Sequence, residues 1–260
     1  MKTSIVAPVG RSPPVITEFL RYVIDVFGEK VTDTTLLVTK DPEVQYGLKL
    51  IEVAIKDKYP FIHIHIKELP FEDIDSEERS IEFMEYAARV LKEEETIHKV
   101  DRIYLCVAGG RKDMCIILSL LAQFYKVNGV YHVIAPEIKI VSEKLERLRK
   151  EIEELAKSSN PEEKYKENKQ QFEELMFPSK SRYVVIKIPV IPYPKDTLKK
   201  IVNLLKNKTT PKNEAKISYE LLENLQSIGL IKIGTRNITT TLDGIKLLKI
   251  LENTILKEGL

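Results

Sequence analysis

The chain has 260 residues, 43% hydrophobic and 31% charged, enough for one large domain or an ordinary domain with a small companion. Lys and Arg number 41 against 39 Asp and Glu, a formal charge of +2, which excludes a polybasic nucleic-acid coat and an acidic disordered chain. No apolar run approaches the roughly 18 residues of a membrane helix, no signal-peptide pattern opens the chain, and Cys106 and Cys115 supply neither a disulfide framework nor a cysteine-rich zinc site, so the expected location is the cytoplasm.

In chain order, Ser4 to Pro8 reads as a short buried strand. Val15 to Phe27 has helical spacing, with Phe19, Leu20, Val23 and Phe27 on one face. Strand patterns follow at Thr35 to Thr39, Phe61 to Ile66, Arg102 to Ala108 and Val130 to Ala135. Helical patterns at Val44 to Ile55, Glu77 to Glu93 and Met114 to Tyr125 separate them. This alternation predicts an α/β fold, a mostly parallel Rossmann-like sheet with helices on both faces. Lys144 to Glu174 is dense in Glu and Lys and breaks at Ser158-Ser159-Asn160-Pro161, which predicts two solvated helices, either a surface excursion or a lid. A sixth strand is expected over Tyr183 to Val190.

Pro189, Pro192 and Pro194 mark a linker. Beyond it, helical patterns at Leu198 to Leu205 and Tyr219 to Ile228 precede a hairpin (Leu230 to Ile233, Asn237 to Thr241) and a helix at Leu242 to Leu256. That order predicts a small C-terminal winged helix-turn-helix over 195–260, after a domain of residues 1–190 with a helical insertion at about 144–177. Residues 196–260 carry eleven Lys and Arg against seven Asp and Glu, a charge compatible with DNA.

Two loops carry the chemistry. The first, Val9-Gly10-Arg11-Ser12-Pro13-Pro14, places Ser12 as a helix N-cap and Pro13 at the first helical position, beside backbone N–H groups that suit an anion. The second, Ala108-Gly109-Gly110-Arg111-Lys112-Asp113-Met114, again joins a strand end to a helix start. In a doubly wound sheet of order 3-2-1-4-5-6 the two loops flank the crevice where the strand order reverses, so both face one site. Neither a dinucleotide fingerprint nor a P-loop is present. His63 and His65 share a strand face, but no third metal ligand is evident, and His132 is a candidate for the crevice. No metal and no cofactor is expected, and no nucleophile–base pair stands out.

The segment Ile5-Val6-Ala7-Pro8-Val9-Gly10-Arg11-Ser12-Pro13-Pro14-Val15-Ile16-Thr17-Glu18 resembles the opening of CRISPR-associated Rossmann-fold (CARF) domains, and Val107 to Met114 resembles their second signature. Followed by a winged helix, and without an R-x-x-x-x-H motif, the chain resembles the archaeal ring nucleases of type III CRISPR systems, a layout shared with CARF-type transcription regulators. The resemblance implies a homodimer that binds cyclic tetra-adenylate across its two-fold axis. It also implies metal-independent cleavage to linear di-adenylate with a 2′,3′-cyclic phosphate, the ribose 2′-OH attacking the neighbouring phosphorus. It pairs Ser12, as a catalytic residue, with a lysine beyond the fifth strand. Lys164, Lys166 and Lys169 lie there, and Lys169 is favoured because Asn168-Lys169-Gln170-Gln171 is the least charge-compensated stretch. Gly10, Arg11, Gly109, Gly110, Arg111, Lys112 and Met114 would bind the ring. The second loop departs from many CARF sensors in carrying Arg111 where they have Thr or Ser. The alternative is a cyclic-oligoadenylate-sensing DNA-binding regulator. The candidate recognition helix, Tyr219 to Ile228, has two Glu and no Lys or Arg, which weakens that reading, while Lys212, Lys216, Lys232 and Arg236 sustain it.

Overall fold

The computed structural model describes residues 1–255, with the side chain of residue 138 and those from 253 on left aside. The chain forms two compact units, one of Met1–Ala122 with Lys126–Val190, the other of Gln123–Tyr125 with Ile191–Leu260.

In the first unit the order is β1 (Thr3–Pro8), α1 (Pro14–Asp25), β2 (Val31–Val38), α2 (Pro42–Lys58), β3 (His63–Glu68), α3 (Glu77–Thr96), β4 (Arg102–Cys106), α4 (Lys112–Leu121) and β5 (Gly129–Ile134). Then come α5 (Ile138–Arg147), α6 (Arg149–Lys157), α7 (Pro161–Glu167), α8 (Lys169–Met176) and β6 (Val184–Ile188). The six-stranded sheet has the order β3-β2-β1-β4-β5-β6. The first five strands are parallel, and β6 runs antiparallel to β5. Both strands are buried almost throughout, which accounts for the apolar runs at 5–8 of β1 and 36–38 of β2.

Local chemistry fixes the helix starts. Asp41 caps α2, its carboxylate accepting from the amides of Glu43 (2.8 Å) and Val44 (3.2 Å), and Ser76 caps α3 by accepting from the amide of Arg79 (3.3 Å). The first helix differs from expectation. It starts at Pro14, its N-cap is Pro13, and no side chain caps it, so Ser12 lies one residue outside. The charged excursion holds four short helices, not two. Breaks at Leu148 and Asn168 let each piece turn an apolar face inward, and Ile152, Leu155, Tyr165, Phe172, Leu175 and Met176 join the core beneath α1 and α2. Tyr165 and Phe172 stack across the Asn168 break at 5.5 Å.

The second unit runs α9 (Lys195–Lys206), β7 (Thr209–Pro211), α10 (Tyr219–Ser227), β8 (Ile231–Ile233), β9 (Asn237–Thr240) and α11 (Leu242–Ile255). Its sheet has the order β7-β9-β8, so β7 is a strand additional to the hairpin read from the sequence. Ser218 caps α10, Gly229 adopts φ +80° just after it, and Leu198, Ile201, Leu205, Leu222, Leu225, Ile231 and Ile238 make a separate core. The expected last helical residue, Leu256, lies outside the described residues.

Candidate functional site

The strand order puts β1 beside β4, with β2 and β5 outside them, so the loops after Pro8 and Cys106 open at the topological switch point. They meet backbone to backbone. A Cβ on Gly10 would lie 2.6 Å from the amide nitrogen of Gly110, and one on Gly109 would lie 2.2 Å from the carbonyl oxygen of Pro8. Gly110 has φ +75°, and a Cβ there would sit 2.8 Å from Cβ of Pro8. The glycines thus allow the two loops to touch.

Four of the remaining expected site residues stand at or near that rim. The Arg11 guanidinium donates to Asp41 (2.8 Å) and pairs with Glu43 (3.1 Å), and its hydrogen bond to Asp41 raises its pKa. Burial would raise the Asp41 carboxyl, but hydrogen bonds from Arg11 and the amide of Val44 outweigh it and hold the group below its usual range. Arg111 pairs with Asp73 at 2.6 Å and not with its neighbour Asp113, whose carboxylate accepts from the amide of Met114. Met114 is fully buried and its sulfur accepts from the Arg111 amide at 3.5 Å. Lys112 is exposed at the start of α4. Gly10, Arg11, Gly110, Arg111 and Met114, with Asp41, Glu72 and Asp73, surround a cavity of about 290 Å³.

The first loop is a weaker helix-terminus anion site than its sequence suggests. Pro13 and Pro14 have no N–H, and the amides of Val15 and Ile16 are taken by the carbonyls of Ser12 (3.4 Å) and Pro13 (3.2 Å). Its donors are instead the loop amides beside Arg11 and the Ser12 hydroxyl, which has no hydrogen-bond partner among the described residues.

Lys169 is elsewhere. It opens α8 and pairs with Asp57 (2.9 Å) and Glu173 (3.8 Å). Asp57 ends α2, whereas Glu43, the partner of Arg11, begins it, and the helix rise between them is about 21 Å. The structure therefore does not bring Lys169 to Ser12. Lys164 pairs with Glu167 within α7 at 2.6 Å, and Lys166 is exposed. The cation that the excursion does deliver is Arg149, on α6, which pairs with Glu43. Together Arg11, Pro13, Glu43, Tyr46, Leu145 and Arg149 help line a second cavity of about 480 Å³. No sequence motif marks Arg149; the signal is its placement opposite the acidic start of α2.

Residues 12–223 match the family model described as CRISPR-associated protein NE0113 (Cas_NE0113). The chain belongs to that family. Among solved structures, this Cas_NE0113 member is similar to Enterococcus italicus Csm6 bound to cyclic hexa-2′-fluoro-hexa-dAMP, at 17% identity and a TM-score of 0.49, over 87% of this chain and 48% of that one. The chain thus spans about half the length of that protein. No curated protein matches it.

His132 and the two cysteines of the Cas_NE0113 chain have structural roles. His132 bonds the carbonyl of Val107 through Nδ1 at 2.8 Å, linking β5 to the exit of β4. Burial pushes the Cys106 thiol up to about 12 and that of Cys115 up to about 11, and Cys115 Sγ donates to the Gly109 carbonyl at 2.9 Å, so neither is a thiolate at neutral pH. Among the described residues no helix is long and apolar enough to cross a membrane.

Proposed function

We propose that this CRISPR-associated chain is a CARF-type ring nuclease that binds cyclic tetra-adenylate at the switch-point loops and opens it to linear di-adenylate. The observation that carries the reading is the contact of the two loops, with Arg11 and Arg111 lining one cavity between them and Ser12 following Arg11 in the first loop. Exposed ion pairs such as Arg111–Asp73 are worth at most about 1 kcal/mol, so a ligand phosphate displaces Asp73 at little cost.

The nucleophile belongs to the substrate. A ribose 2′-oxygen attacks the adjacent phosphorus, the bond to the 5′-oxygen breaks, the 2′-OH gives its proton to solvent and the departing 5′-oxygen gains one. The chain binds the phosphate with the Ser12 hydroxyl and loop amides, and Arg11, Arg111 and Arg149 stabilise the charge of the transition state. Arg149 takes the role that the resemblance gives to a lysine.

A second copy completes the site in this reading. Ile116 and Leu120, one turn apart on α4, are exposed, as are Ile134, Val184 and Ile186 on β5 and β6. Because α4 starts at the second loop, an isologous contact through it brings two copies of the rim together. The C-terminal unit is proposed to be a winged helix. Exposed Lys232 and Arg236 on its hairpin favour the second reading, a ligand-sensing DNA-binding regulator.

The test is incubation with radiolabelled cyclic tetra-adenylate in excess EDTA, resolved on a denaturing gel. Conversion to di-adenylate with a cyclic phosphate end is expected. Tight binding without conversion would replace the nuclease with the regulator, and neither binding nor conversion would remove both.

A further inference from the structure

His65, which the sequence leaves without enough partners for a metal, acquires them in the fold. Asp33 lies on β2, His65 on β3, and His98 in the turn that leaves α3. Their ligand atoms all lie within 4.8 Å of one another. His65 Nε2 is 2.8 Å from Asp33 Oδ1, and the rings of His65 and His98 are 4.1 Å apart. His63, two residues earlier on the same strand, is exposed and outside the cluster.

The surroundings hold these groups in place. Asp33 is buried, and its other oxygen accepts from the Thr32 hydroxyl at 2.6 Å, which leaves Oδ1 directed at His65. That is the outer support a ligating carboxylate needs. The amide of His98 donates to the Glu93 carbonyl (3.0 Å), and Lys2 Nζ donates to the His98 carbonyl (3.3 Å). The next residue, Lys99, has φ +51°, the one positive φ among the described non-glycine residues, in the turn that carries the His98 ring.

Two imidazoles and a carboxylate suit zinc and similar ions. Ligands about 2.0 Å from a tetrahedral ion stand about 3.3 Å from one another. The His65–Asp33 pair need open by only about half an ångström to admit one, the ion replacing the proton they share. His65 and His98 are only partly buried, so solvent reaches the cluster and a water can complete the coordination.

We propose that Asp33, His65 and His98 bind one divalent transition-metal ion of the zinc class, which ties β2 and β3 to the exit of α3. The site lies toward the N-terminal ends of the strands, away from the switch-point loops, and it stands whether or not the chain is a ring nuclease.

The test uses the full chain stripped with a chelator, dialysed and titrated with Co²⁺, read by visible d–d absorption. One Co²⁺ per chain is expected, with a band that Zn²⁺ displaces and a melting temperature raised by Zn²⁺. His65→Ala and Asp33→Asn should weaken binding at least about tenfold, and His63→Ala should leave it unchanged. His98→Gln, in a partly exposed turn, should keep the fold by circular dichroism yet lose the band. Absence of a band in the natural chain, or its persistence in both His65→Ala and His98→Gln, overturns the proposal.

Discussion

The switch-point loops and the helical excursion α5–α8 are both polar, glycine- or charge-rich stretches, yet they contribute to the candidate site by different physics. In the loops the backbone decides. Gly10, Gly109 and Gly110 stand where a Cβ would collide with the neighbouring loop, so residue type and position are tied together. In the excursion a buried apolar face decides which side of each helix turns out, and the charged residues follow passively. Lys169 and Arg149 look alike as exposed cations in a Glu- and Lys-rich stretch, but one is turned to the far end of α2 and the other to its start. A site built on backbone contact tolerates little change, whereas one built on solvated side chains is changed piece by piece.

Substitutions can break or sharpen this contrast. The largest effect is expected for Gly109→Ala. Its Cβ would meet the Pro8 carbonyl at 2.2 Å, so the loops must separate, with a stability loss of about 3 kcal/mol or more in urea denaturation and loss of ligand binding. An unchanged midpoint would show that the loop contact is soft.

Next is Glu18, on α1 beneath the excursion, where Glu137, Lys144, Glu174 and Arg182 line the same small cavity. Burial raises its carboxyl from 4.5 to about 7. The folded chain keeps a proton that the unfolded chain has released, so this group's contribution to stability declines as pH rises from about 4.5 to about 7 and stays level above, by about 3 kcal/mol in all. Glu18→Gln should flatten that decline, gaining most at pH 8 and nothing near pH 4. Parallel denaturation profiles for the two proteins would refute the assignment.

Arg111→Ala is expected to weaken cyclic tetra-adenylate binding about tenfold or more while barely altering stability, since its ion pair with Asp73 is exposed. Equal affinity by equilibrium dialysis would take Arg111 out of the site. Smallest of all is Lys169→Ala. It breaks exposed pairs with Asp57 and Glu173 and should change neither turnover nor melting temperature. A loss of turnover would restore Lys169 and show that the excursion closes over the loops when ligand binds.

The legible parts were those with local causes. The strand and helix alternation and the sheet order follow from periodicity and handedness, and the facing loops follow from that order. The direction of β6 was not readable, because Val184 to Ile188 has the same apolar character either way and the preceding excursion determines it. The Ser12 cap failed for a local reason: two successive prolines shift the helix start to Pro14 and remove two N–H donors. Arg149 depends on Glu43 of a distant helix, and the Asp33–His65–His98 cluster on three separate parts of the chain, which no spacing in the chain encodes.

The most direct test of the central claim is binding of labelled cyclic tetra-adenylate, at matched salt, to the natural chain, Arg111→Ala and Lys169→Ala. The account predicts that the natural chain and Lys169→Ala bind alike and that Arg111→Ala binds about tenfold more weakly or worse. No binding by the natural chain, or a loss confined to Lys169→Ala, would contradict it.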